Sequence, residues 1–209
     1  MNRYFIILGL LLTTFLSNVN SQTMVWFLNG DKMTINNCNI NENDWLITYY
    51  NKKQKEKIID LDYVFSVTDS LGKEKVYYIP VVFDETEDTF SVAQMRSFVE
   101  GEFDGSQEHK ARLSLAGGFV VGSAAGILLY PSLLFYSPAF PAGAAVISGI
   151  SSPTQKKVTK LHPERAEDKH YIYGYQESAK HKRAVASIKG GAVGLILGII
   201  AGAIIVNNQ

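Results

Sequence analysis

The sequence predicts an α+β membrane protein: a small antiparallel β-barrel or curled sheet followed by helices, two of them glycine-rich and transmembrane. Three observations predict it. Residues 188–206 form an apolar run in which Gly190, Gly194, Gly198 and Gly202 recur every fourth residue, residues 113–150 carry no charge at all, and residues 24–80 read as short strand-prone runs between turns. A mean hydropathy near zero therefore averages over a strongly segregated chain. Twenty basic residues balance twenty acidic ones in 209. That balance argues against a nucleic-acid partner, which calls for a surplus of positive charge.

Residues 1–21 read as a signal peptide: Arg3 precedes an apolar run from Tyr4 to Leu16, then a polar stretch leads to Gln22. The run is too short to span a bilayer comfortably. It places the chain from Met24 onward outside the cytoplasm whether or not it is cleaved.

Residues 24–80 form the small β domain. Five strand-prone runs are expected at residues 24–28, 33–40, 45–50, 57–68 and 75–79. Asn29-Gly30-Asp31-Lys32 is a hairpin turn, because asparagine and glycine tolerate positive φ. Asn41-Glu42-Asn43-Asp44 and Asp69-Ser70-Leu71-Gly72-Lys73 separate later runs. The aromatic residues, Trp26, Phe27, Trp45, Tyr49, Tyr50, Tyr63, Phe65, Tyr77 and Tyr78, read as core and cross-strand pairs. Cys38 is the single cysteine and has no partner for a disulfide or a zinc site.

Residues 81–112 form an acidic linker, Asp84-Glu85-Thr86-Glu87-Asp88, and a juxtamembrane helix. Ser91 and Gln94 have the spacing of a capping box, and Val92, Met95, Phe98 and Val99 share one face of the helix they announce. This helix is expected to run on toward Lys110 and Arg112. Residues 113–136 then form the first transmembrane helix, with Pro131 as a kink, and residues 137–150 a proline-bearing interfacial or re-entrant segment. Residues 151–187 carry eight lysines and arginines against four acidic residues and read as a basic cytoplasmic loop. Residues 188–206, a glycine-zipper pattern, form the second transmembrane helix. This gives two oppositely directed spans with the β domain outside; a third span would put the basic loop outside as well.

The candidate site residues are the helix-packing glycines Gly118, Gly122 and Gly126 upstream and Gly190, Gly194, Gly198 and Gly202 downstream. Without side chains they let another helix approach to backbone contact, either in the same chain or in a second copy. Lys180, Lys182 and Arg183 stand just ahead of the second span as contacts for lipid headgroups. Tyr171, Tyr173 and Tyr175 suit an aromatic belt at the interface. His162, Glu164, Glu167, Asp168 and His170 are the nearest approach to a metal cluster, but their spacing suits a solvated loop. No cofactor and no metal are expected.

Sliding the chain by 73 residues aligns Phe98-Val99-Glu100-Gly101 with Tyr171-Ile172-Tyr173-Gly174 and Gly117-Gly118 with Gly190-Gly191. The register slips by one where Gly122 meets Gly194. A duplication in this frame is an inverted pair if the two spans run in opposite directions.

On Phe27-Leu28-Asn29-Gly30-Asp31, Val64-Phe65-Ser66-Val67, the helix from Met95 to Asp104 and Tyr173-Gly174-Tyr175, the chain resembles a family of uncharacterised exported membrane proteins abundant in Bacteroidetes. It departs from the family pattern at Thr34-Ile35-Asn36 and at Gly105. The resemblance implies the same architecture, an exported β domain ahead of glycine-rich helices, and no activity. The functional expectation is a membrane-anchored interaction or assembly protein of the bacterial inner membrane, multi-pass, its β domain in the periplasm. Its expected partners are membrane lipid, a homo-oligomer through the glycine faces and an envelope ligand for the β domain. A small pore or transport protein is the alternative, disfavoured because the spans carry no ionisable pathway.

Overall fold

The computed structural model describes residues 22–80, 89–130, 139–150 and 152–208. The signal peptide, the acidic run at 84–88 and the kink at Pro131 lie outside the described residues. The chain divides into two compact units. One comprises residues 22–28 and 32–79; the other comprises the turn residues 29–31 and the chain after residue 79.

The first unit is two open antiparallel sheets and not a closed barrel. Strands β1 (Gln22–Phe27), β2 (Lys32–Asn36), β6 (Val64–Thr68) and β7 (Glu74–Val76) form one sheet in the order β2-β1-β6-β7. Strands β3 (Cys38–Asn41), β4 (Leu46–Tyr50) and β5 (Glu56–Asp60) form the other in the order β3-β4-β5. Two of the five expected strands are each divided, which is why there are seven. The run 33–40 breaks at Asn37, whose φ of 52° lies in the left-handed region that asparagine visits more readily than most residues. The run 57–68 breaks at a 3-10 turn, Leu61–Tyr63, capped by the Asp60 carboxylate, which accepts from Asp62 N. At each break the chain leaves one sheet for the other.

Between the sheets Val25, Ile35, Ile47, Leu61, Val64, Val67 and Tyr77 form the core. The registers Val25↔Val67 and Ile47↔Ile59 place apolar residues opposite one another. Trp26 packs edge-on to Phe65 at 5.7 Å between ring centroids, and Trp45 to Tyr77 at 5.9 Å. Tyr50 and Tyr63 are exposed and take no part in the core. The turns are closed as their composition requires: Asn41 Oδ1 accepts from Asn43 N and Asp44 N, and Asp69 Oδ1 from Leu71 N and Lys73 N.

The second unit is helical. It contains α1 (Val92–Glu108), α2 (Arg112–Leu128), α3 (Ala139–Ile150), α4 (Gln155–Leu161) and α5 (Lys169–Asn207). The capping box opens α1: Ser91 Oγ accepts from Gln94 N, and Ser91 N donates to Gln94 Oε1 at 2.8 Å. The helix does not run on into the apolar block. It stops at His109, whose extended backbone turns the chain, and α2 leaves at 62° to α1. The expected basic loop at 151–187 is mostly helix. A 3-10 turn at Pro163–Arg165 joins α4 to α5, which starts at Lys169 with the Asp168 carboxylate as its cap. Ile172, Tyr175 and Ala179 make a buried stripe there, so residues 169–187 extend the apolar helix by several turns.

Helix α5 is long and apolar enough to cross a membrane by length and composition; α2 and α3 are shorter apolar helices.

Candidate functional site

Every glycine expected on a packing face is buried. A Cβ at Gly118 would overlap Ser187 O, one at Gly122 would overlap Gly191 O, and one at Gly126 would stand 2.7 Å from Leu195 O. The contacts are reciprocal, because a Cβ at Gly190 would meet Leu115 O, at Gly194 Phe119 O and at Gly198 Ser123 O. Gly202 closes the row against Tyr130. The two helices are in backbone contact, where Cα–H groups lie against carbonyl oxygens. The upstream and downstream glycine faces thus meet within one chain.

The same device continues into the polar part of the unit. Gly101 lies against Tyr171 O, Gly174 against Phe98 O, and Gly105 against Tyr175 O. The α2 and α5 residues that touch are 69 or 75 apart, and adding 72 to each α2 number gives the α5 residue in the equivalent position, Gly118 to Gly190 and Leu115 to Ser187, while for α1 the offset is 73. The odd residue sits in the non-helical turn at His109–Ala111, which α5 lacks.

Residue numbers rise together along every one of these contacts, so α2 and α5 run parallel. This corrects the two-span arrangement, which requires them to run in opposite directions, and with it the inverted pair. The return is made by α3. Pro141, near its start, packs on Gly191, while Ile147 and Ser148 share a cavity with Leu113 and Ser114 at the start of α2 and with Arg183 of α5. The start of α2 and the polar half of α5 therefore lie at the same end of the helical unit. Periodicity shows which face of a helix is smooth but not which way its partner runs.

At that end polar side chains join α1, the turn at 163–165 and α5 in a neck. Tyr171 Oη donates to Asp104 Oδ2 at 2.7 Å, and Arg165 Nη2 donates to Glu100 Oε2 at 2.6 Å. His162 bridges Glu108 at 2.9 Å and Glu164 at 3.3 Å. Burial would lower its pKa, but the hydrogen bonds and charges of those carboxylates outweigh it and hold the imidazole above its usual value. Desolvation, then the hydrogen bond to Asp104, pushes the Tyr171 phenol up and keeps it a donor. Glu102 is raised to about 7, by burial first and then by Glu177 and Asp31.

The residues expected to meet lipid headgroups part company here. Lys180 is paired with Glu177, Lys182 donates to Ser106 O, and Arg183 lines a cavity, its Nε donating to His109 Nε2 at 3.0 Å. Of the tyrosines expected in an interfacial belt, Tyr171 and Tyr175 are buried against α1 and only Tyr173 is exposed. Among the described residues, no group of three or more histidine, cysteine, aspartate or glutamate side chains is arranged to hold a metal ion. His170 packs against Phe90 instead. Reading the sequence for spans missed the neck. The spacing of Gly101 and Gly105, four residues apart, was the signal for it.

The β unit carries a cleft of about 490 Å³ lined chiefly by amide and tyrosine side chains, among them Asn36, Asn37, Tyr49, Tyr50 and Gln54. Compared with known protein families, with curated proteins and with solved structures, the chain matches none.

Proposed function

We propose that the chain is a membrane-anchored interaction protein, in which a glycine-packed helical stem holds a β unit at a bilayer surface. The observation that carries this reading is the contrast between the two sides of α2 and α5. Their facing surfaces are in backbone contact, while Val120, Leu128, Val193, Ile196, Leu197 and Ile200 are exposed on the outside. So continuous an apolar exterior is a liability in water and suits hydrocarbon. The glycine faces are consumed within the chain, so a second copy would have to dock elsewhere. A pore along the α2–α5 seam has no room, since that seam is closed by backbone. The amide-rich cleft of the β unit is where a polar ligand from the envelope would bind. In this reading the stem sits in a bacterial inner membrane, and the signal peptide places the β unit and the neck together in the periplasm. Kinship with the exported Bacteroidetes family belongs to the same proposal.

Single-cysteine labelling tests it. In a Cys38→Ser background, Gln107→Cys and Lys160→Cys both react with an impermeant maleimide on intact spheroplasts. If one reacts and the other is shielded until lysis, the shared side is wrong. If both are shielded, the neck is cytoplasmic and the basic residues, not the signal peptide, set the orientation.

A further inference from the structure

Where α1 ends and α2 begins there is a cavity of about 400 Å³ lined by His109, Lys110, Ser114, Lys157 and Arg183, with no carboxylate among the described residues of its lining. Lys110 and Lys157 are exposed and make no ion pair among the described residues. Arg183 is held toward the cavity by its hydrogen bond to His109. Burial, then Arg183 and the two nearby lysines Lys157 and Lys182, depress the His109 pKa to about 4. The imidazole is therefore neutral and able to accept that bond. The first turn of α2 opens here with Ala111 in the cap position and no side chain accepting from its N–H groups, which adds partial positive charge.

A second cavity adjoins the first. Between α2 and α3 a groove of about 350 Å³ is lined by Val121, Phe140, Gly143, Ala144 and Ile147, all apolar, and Ile147 lines both cavities. Two glycines border these spaces. Gly117 lines the cationic cavity and Gly143 the groove, and a Cβ added at either meets nothing within 4 Å. Helix packing makes no use of either glycine. Each leaves space that a larger residue would fill.

We infer that the two cavities together bind one anionic phospholipid, its phosphate among Lys110, Lys157 and Arg183 and one acyl chain in the groove between α2 and α3. The charge complementarity selects the headgroup: a zwitterionic lipid would bring an ammonium group to a cluster of three cations. The continuity through Ile147 selects a lipid over free phosphate, which would use the first cavity alone. The inference rests on the membrane reading and sharpens it, because it names which lipid the stem holds and where.

The test uses the full chain purified in a mild detergent, titrated separately with phosphatidylglycerol, phosphatidylcholine and glycerol phosphate. Phosphatidylglycerol binds at least about tenfold tighter than phosphatidylcholine. Lys110→Gln with Lys157→Gln lowers its affinity about 25-fold, about fivefold for each lysine near an anionic headgroup, and leaves phosphatidylcholine unchanged. The same change at Lys160 and Lys169 has no effect. Gly143→Phe fills the groove and weakens phosphatidylglycerol without altering glycerol phosphate, which keeps the inference testable should the double lysine variant fail to fold. Equal affinity for the two lipids in the parent chain overturns the inference. So does a Gly143→Phe variant that binds phosphatidylglycerol as well as the parent, an outcome that leaves a simple phosphate site. Recovery of the chain from the soluble fraction of cells would sink the membrane reading by itself, without deciding whether the site prefers anionic lipid.

Discussion

The two halves of the long helix α5 make the same contact in different company. Toward its N-terminus it packs on α1, with Gly101 and Gly105 against the backbone of Tyr171 and Tyr175, and the surroundings are ion pairs and a tyrosine–aspartate hydrogen bond. Toward its C-terminus it packs on α2 through Gly118, Gly122 and Gly126, and the surroundings are exposed valine, leucine and isoleucine. The seam is constant while the surface around it changes from polar to apolar. Backbone contact works in both because it depends on shape and dispersion, which neither surface supplies. The residues around the seam, rather than the seam, distinguish the two halves.

Adjacent glycines offer the sharpest way to break this comparison. Gly118→Ala puts a methyl group into Ser187 O and destabilises the helical unit by about 3 kcal/mol. Gly117→Ala, one residue away, points into open space and stabilises by about 0.5 kcal/mol through helix propensity alone. Thermal unfolding in detergent, followed by circular dichroism, measures both. Similar shifts for the two would mean that the seam is not in backbone contact.

A smaller effect is expected in the neck. Tyr171→Phe keeps the buried ring and removes the hydroxyl that donates to Asp104, costing about 1 kcal/mol. The loss appears in the same melts. An unchanged melting temperature would show that the polar bonds of the neck only decorate the glycine contacts.

Much of this was legible in the sequence, and the exceptions have physical causes. The hairpin at Asn29-Gly30-Asp31 and the capping box at Ser91 arise from local chemistry and stand where local chemistry puts them. The glycine faces come from spacing. The direction of α5 relative to α2 does not, because a smooth face accepts a partner of either polarity. The division of two strands was hidden for another reason. The Leu61–Tyr63 turn sits inside a run of good strand formers, the doublet Asn36-Asn37 reads as strand or turn alike, and the core shared by two sheets decides that both runs break. Lys157, Lys110 and Arg183 are far apart in the chain, and no local pattern joins them. Their cavity exists only because α3 returns the chain to the start of α2.

The neck also differs from the apolar half in responding to pH, and Glu102 is where that response can be isolated. Its carboxyl is buried and faces Glu177 and Asp31, so its folded pKa, about 7, is above its ordinary value of 4.5. One of its oxygens is buried with no hydrogen-bond partner among the described residues. In the unfolded chain the group ionises near 4.5, so the folded state binds the extra proton between the two values. The stability it contributes is full below about pH 4.5 and is lost as the pH rises through about 7. Glu102→Gln fixes the group in its neutral form. At about pH 4 parent and variant should therefore melt alike, and above about pH 7 the variant should melt higher by its full margin. His109, with its lowered pKa, tilts stability the opposite way between about pH 4 and 6.5, but it and His162 titrate alike in parent and variant and drop out of the difference. The difference between the two melting curves should widen from about pH 4.5 to about 7 and level off above that, and this widening belongs to Glu102. A difference that stays flat from about pH 4.5 to 7 would mean the Glu102 carboxylate is hydrated, and the neck would then open to water at the point where α1 and α5 are packed most closely.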